Sequence, residues 1–146
     1  MSQVVVGGTF NVFHKGHAKL LDAAMTIATF RDAALIVGVT DTGFAQHSRR
    51  VPVRPYRSRL NDVQRFVEGS DLRPHFGPVM YTPIRSVDDM PEMDEYDVLV
   101  VSEETAQDAY RTVNDKGYRC YIHVVKMVTD TEGDVLNSTK ILEEMR

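Results

Sequence analysis

Apolar positions along this chain switch between two periods. Val4-Val5-Val6 is a short continuous apolar run of the kind that forms a buried strand. From Ala18 to Ala28 the spacing changes, and Leu20, Leu21, Ala24 and Ile27 share one helical face. Ala33 to Thr40 is apolar again and of strand length. Thr42 to Pro55 is polar and basic, and Pro52 and Pro55 interrupt it, so it reads as a loop. Tyr56 to Glu68 has helical spacing through Leu60, Val63, Phe66 and Val67. Val79 to Thr82 is a weaker strand, and Val87 to Glu95 is acidic and irregular, or one helical turn. Asp97 to Val101 is a clear strand. Glu103 to Lys116 reads as a helix that Gly117 ends. Arg119 to Val128 is a long apolar strand, Asp130 to Asp134 a polar turn, and Asn137 to Arg146 a closing helix.

Strands that alternate with helices predict an α/β fold: a Rossmann-like, five-stranded parallel sheet with helices on both faces. No repeat, low-complexity stretch or linker divides the chain, so a single domain over residues 1–146 is expected. In such sheets ligands sit at the carboxyl ends of the strands. The chemistry is therefore to be sought just after Val6, after Thr40 and after Val101.

Composition narrows the classes. At 146 residues the chain is long enough for a sizeable core. Its formal net charge of −4 argues against general nucleic-acid binding, although local basic clusters can still hold small anions. No apolar run approaches a membrane span. The first residues lack a basic n-region and a cleavage site, and strand pattern begins almost at once. The only cysteine, Cys120, precludes an internal disulfide and fits a reducing, cytoplasmic setting; its apolar surroundings suit a buried structural thiol.

The first strand-to-helix junction carries the strongest chemical signal. It reads Gly7-Gly8-Thr9-Phe10-Asn11-Val12-Phe13-His14-Lys15-Gly16-His17. Glycines let backbone approach a phosphate, and a helix N-terminus offers N–H groups and a positive dipole to it. His14 and His17 add two donors that can charge near neutral pH. Two other readings stand beside this one. The pair could ligate zinc, although zinc sites usually gather more His, Cys or carboxylate ligands than this chain offers. Alternatively, the glycines form a plain turn and both histidines merely cap a helix.

Gly8-Thr9-Phe10 followed by His14-x-Gly16-His17 resembles the signature of the HxGH nucleotidyltransferase superfamily. That resemblance implies a HUP-type fold in which both histidines hold nucleoside triphosphate phosphates. Asn11 stands where the family usually has Asp; it keeps a short polar side chain and loses the charge. Val100-Val101-Ser102-Glu103-Glu104-Thr105 resembles a segment of the archaeal- and eukaryotic-type phosphopantetheine adenylyltransferases that lies beside the nucleotide. Its residues also have a purely structural reading, with Ser102 as N-cap and the two glutamates in the first helical turn. Leu136-Asn137-Ser138-Thr139-Lys140-Ile141 resembles the triphosphate-binding motif near the end of the same enzymes. Asn137 replaces a Ser, and Lys140 replaces the commoner Arg as a point charge without the fork. Ser138, Thr139 and Lys140 are in any case a ready anion site at a helix start.

The basic stretch Arg49-Arg50-x-x-x-Arg54-x-x-Arg57-x-Arg59 is less specific. In related enzymes a Lys or Arg from this region reaches the triphosphate or the acceptor phosphate, which points to Arg49 or Arg50; Arg59 fits a structural role. The resemblance spans Val4 to Ile141. It implies adenylyl transfer from ATP to 4′-phosphopantetheine, with Mg²⁺ arriving on ATP and no metal-binding residues of the protein's own. It further implies His17 at the α-phosphate, His14 on the β/γ side, and Thr9 at a reacting phosphate. Gly8, Phe10, Asn11 and Gly16 would line the nucleotide together with residues 102–105 and 137–139. A cytidylyltransferase, an FMN adenylyltransferase and a catalytically weakened nucleotide-binding domain are the alternatives. No nucleic-acid or membrane partner is expected, and a homo-oligomer is left open.

Overall fold

The computed structural model describes residues 2–46, 52–86 and 89–126. Five strands, β1 (Gln3–Gly8), β2 (Ala34–Thr40), β3 (Val79–Ile84), β4 (Val98–Ser102) and β5 (Tyr121–Val125), form one sheet in the order β3-β2-β1-β4-β5. Every pairing is parallel, with Val5 opposite Ile36 on one side and Leu99 on the other. The fold is the expected Rossmann-like one. The chain works outward from β1 to β3 and then returns to β4 on the other side of β1. That reversal opens a crevice between the carboxyl ends of β1 and β4.

Among the described residues four α-helices accompany the sheet: α1 (Lys15–Arg31), α2 (Thr42–Gln46), α3 (Tyr56–Glu68) and α4 (Ala106–Lys116), with a 3-10 turn at Arg73–His75. Successive strand residues face opposite sides, so Val4, Val6, Leu35, Val37, Val98 and Val100 pack under α1 and α3. Val5, Leu99 and Val101 pack with Val113 of α4 and with Cys120 on the other side. Both faces of the central strands are thus buried, which is why β1 and β4 read as unbroken valine and leucine runs. Cys120 is a buried free thiol, and burial raises its pKa.

The structure moves several predicted boundaries. α1 extends the predicted 18–28 helix at both ends. It ends at Asp32, whose N–H still reaches the Thr29 carbonyl and whose left-handed conformation (φ 50°) turns the Ala33 N–H back onto the Ala28 carbonyl at 2.9 Å. Residues 42–46 are helical rather than loop because Asp41 Oδ1 accepts the Phe44 N–H at 2.7 Å and so caps a short helix. α4 begins three residues later than predicted. The Glu103 N–H is taken by the Val125 carbonyl of β5, which continues the sheet's pairing, and residues 103–105 form a turn. Ser102 is therefore not the N-cap; Thr105 is, without a side-chain bond. β5 is shorter than predicted at its start, Tyr121 rather than Arg119; of the described part of 87–95, Asp89 is in a 3-10 turn, its N–H bonded to the Ser86 carbonyl at 3.2 Å, and residues 90–95 are in neither helix nor strand. The predicted turn at 130–134 and the helix from Asn137 lie outside the described residues.

Candidate active site

β1 delivers the chain to the crevice, and residues 9–14 turn it into α1. The turn passes through Phe10 at φ 53°, a left-handed conformation that costs a non-glycine residue about 1–2 kcal/mol. Phe10 is 1% exposed, and burying such a ring returns about 1.5–3 kcal/mol, enough to hold the strain. The ring lies on Gly8, where an added Cβ would sit 3.2 Å from two ring carbons. Gly7 is exposed; an added Cβ there would crowd Ile84 Cδ1 at 3.2 Å, and one on its neighbour Gly38 would meet the same atom at 2.6 Å. At both positions of the turn a side chain would press on a neighbour, so packing favours glycine there as well.

The two histidines form a reciprocal cap on α1. His14 Nδ1 accepts the Gly16 N–H at 3.0 Å, and His17 Nδ1 accepts the His14 N–H at 3.3 Å. The rings stack with centroids 3.8 Å apart and 19° between planes. Phe10 and Phe13 flank His17 at 5.1 and 5.6 Å. With both Nδ1 atoms accepting, each neutral ring carries its proton on Nε2. Burial lowers the His14 pKa, which keeps that ring neutral. Its Nε2 is buried without a hydrogen-bond partner among the described residues. The helix-capping reading of the histidines is therefore correct as geometry, but the cap uses only Nδ1 of each ring. The Nε2 of His14 remains a directed donor, a neutral one rather than the cation that histidine chemistry first suggests.

Beneath the turn lie two polar side chains that are almost wholly buried, Asn11 (1% exposed) and Arg59 (0%). Asn11 Nδ2 donates to the Pro52 carbonyl at 3.2 Å, and its Oδ1 accepts the Arg54 N–H at 2.8 Å. Arg59, from α3, donates to the carbonyls of Thr9 (2.9 Å), Thr40 (2.7 Å) and Arg54 (2.7 Å). It thereby fastens the ends of β1 and β2 together, in line with the structural role its position suggested. Thr40 also donates to Thr9 Oγ1 at 3.0 Å. Thr9, His14, Gly16 and His17 are all partly exposed around this turn, whereas Phe10 and Asn11 have buried side chains.

Across the crevice, Ser102 Oγ and Thr105 Oγ1 lie 3.2 Å apart, and Glu103, Glu104 and Thr105 are exposed. Topology thus brings residues 9–17 and 102–105 to one end of the sheet. Arg49, Arg50, Asn137, Ser138, Thr139 and Lys140 lie outside the described residues. A cavity of about 300 Å³, unforeseen from the sequence, opens on the α4 face. Gly7, Gly38, Ile84, Met90, Leu99 and Thr105 are among the residues that line it. It was hidden because its lining comes from several strands, α4 and the segment before β4, which only folding brings together. Among the described residues no group of three His, Cys, Asp or Glu gathers, and no helix is long and apolar enough to cross a membrane.

The cytidylyltransferase-like family model matches residues 5–144. A phosphopantetheine adenylyltransferase of Methanopyrus kandleri is 31% identical over 149 aligned residues, spanning 98% of this chain and 90% of its own. The structure of a protein of unknown function from Archaeoglobus fulgidus superimposes with a TM-score of 0.61 at 29% identity, covering 94% of this chain and all of that one. A pantothenate synthetase from Thermus thermophilus shares the fold at 16% identity (TM-score 0.59), with 97% of this chain and 61% of its own aligned.

Proposed function

Because the chain belongs to the cytidylyltransferase-like family, we propose that it transfers the adenylyl group of ATP to 4′-phosphopantetheine, giving dephospho-coenzyme A and pyrophosphate. The observation that carries the reading is the histidine pair. Reciprocal caps lock it at the start of α1 and leave the His14 Nε2 donor buried without a partner among the described residues. The nearly full-length similarity to a phosphopantetheine adenylyltransferase supports the choice of acceptor. So does the Val100–Thr105 segment, which runs through the end of β4 into the following turn.

An ionised phosphate acceptor is already a nucleophile, so attack on the α-phosphorus needs no general base. Its oxygen bonds to phosphorus as the bond to the β-phosphate oxygen breaks, and pyrophosphate leaves. The protein's task is to align two anions and to meet the charge that builds on the equatorial oxygens. In this reading His17 serves the α-phosphate, His14 the β/γ side and Thr9 a reacting phosphate. Lys140 with Ser138 and Thr139 grips the triphosphate, and Arg49 or Arg50 reaches a phosphate. Mg²⁺ enters on the nucleotide, since it favours phosphate oxygens over a protein cage. The apolar cavity beside Gly7 suits the largely uncharged pantetheine arm, with Thr82, Thr105 and Thr112 in its wall as hydrogen-bonding groups.

Asn11 is the one sequence feature that suggests lost catalysis, and it carries less weight once its amide is seen to bond at both ends. The test is pyrophosphate release. It should require both ATP and 4′-phosphopantetheine, with CTP much poorer. Turnover of CTP with an alcohol phosphate, and none with phosphopantetheine, would overturn the assignment.

A further inference from the structure

Three polar or charged residues are buried among the described ones: Asn11, Arg59 and Asp97. Asp97 works at the far end of the sheet, where it accepts from the Gln3 and Asp94 N–H groups. The other two meet under the turn, and Asn11 is the less easily explained. A nucleotide pocket has no use for an amide that is 1% exposed.

The bonding pattern explains the residue type. Asn11 donates to one backbone group (Pro52 C=O) and accepts from another (Arg54 N–H), two residues apart on a neighbouring segment. A carboxylate of the same shape accepts but cannot donate. It would set an anionic oxygen about 3.2 Å from the Pro52 carbonyl oxygen, with no proton between them, in a site closed to water. Alanine would leave both backbone groups without this partner. Arg54 strengthens the tie, since its guanidinium bonds both the Asn11 carbonyl and Asp62 of α3 at 2.9 Å. Arg59 binds the other side of the turn through Thr9. Between these ties stands Phe10, whose strained backbone needs its neighbours to hold it.

We infer that Asn11 is a positioning residue: a neutral, two-ended clamp that fixes residues 9–14, and so acts on the nucleotide through His14 without touching it or a metal. This rests on the reading that the turn binds a nucleoside triphosphate. It is independent of which acceptor the enzyme uses.

Calorimetric titration with Mg²⁺·ATP tests it on five proteins: wild type, Asn11→Ala, Asn11→Asp, His14→Ala and the Asn11→Ala/His14→Ala double variant. Thermal melts establish that each is folded at the assay temperature; should the alanine variant not fold, Asn11→Asp with an added Asn11→Asp/His14→Ala variant carries the same cycle. Both Asn11 variants should bind about tenfold more weakly or worse, a loss of roughly 1.4 kcal/mol. In the His14→Ala background, loss of Asn11 should cost less than about twofold, because the ring it positions is gone. Equal losses in both backgrounds would overturn the inference. So would tighter binding or a new Mg²⁺ dependence in Asn11→Asp, or an impaired aspartate variant beside an unimpaired alanine variant, which would mean that charge matters and the clamp does not. A wild type that fails to bind Mg²⁺·ATP would sink the nucleotide reading itself.

Discussion

Two strand-to-helix junctions face each other across the crevice, and they are built to different standards. After β1, the chain turns through a buried phenylalanine, a buried asparagine and a pair of histidines that cap α1 with their own rings. After β4, it turns through three exposed residues, and α4 starts without a side-chain cap. Both lie at the same kind of topological position, and in the sequence both resemble binding segments, the first with the stronger chemical signal. The structure separates them. The first is preorganised, with donors fixed before any ligand arrives, as stabilisation of a phosphate transition state requires. The second carries Glu103 and Glu104, which repel phosphate, so it suits an uncharged part of a nucleotide.

By this contrast, His17→Ala should lower turnover by about 10²–10³, the usual cost of removing a donor aimed at developing charge. Ser102→Ala should lower it by less than about threefold. Steady-state pyrophosphate release on the two variants measures the gap, and equal losses would show that the reaction depends on the second junction as heavily as on the first.

Stability should differ in the same sense. Arg59→Lys keeps the charge but gives up the fork that serves three carbonyls. With each buried acceptor left unmet costing about 1–3 kcal/mol, a loss of about 2–4 kcal/mol is expected. Thr105→Ala, which removes an exposed hydroxyl pair, should change stability by less than about 0.5 kcal/mol. Urea denaturation reports both, and a mild Arg59→Lys would mean that the turn is not held from beneath.

The smallest effect expected is that of pH. Burial lowers the His14 pKa below the ordinary 6.5, so the folded state favours the neutral ring. Stability from this source is fully present above 6.5 and is lost as pH falls through the lowered folded value. Melting temperature should therefore drop between about pH 8 and pH 5.5, and His14→Ala should remove part of that drop. A pH dependence unchanged in His14→Ala would mean that the cap is indifferent to protonation.

Much of the architecture is legible in the chain because periodicity is a local property. Unbroken runs such as Val4–Val6 mark strands buried on both faces, and the Leu20, Leu21, Ala24 spacing marks one face of a helix. The candidate histidines are legible for the same reason, since His14 and His17 are near neighbours at one junction. What the sequence could not supply were relations between distant segments. α4 starts late because the Val125 carbonyl, at the end of β5, takes the Glu103 N–H. The glycines at 7 and 38 are matched to an isoleucine on a third strand.

The sequence by itself determined the five strands and the three longer helices, their alternation and hence the parallel sheet, together with the junction where the histidines stand. Each follows from the spacing of side chains along a few turns of backbone. Only the tertiary structure decided which nitrogen of each ring the helix cap takes, why position 11 holds an amide, and that Arg59 belongs to the interior. Those are questions of hydrogen-bond partners in a space closed to water. Asn11 is surrounded by the acceptors and donors of residues 52–54, and folding alone brings them together.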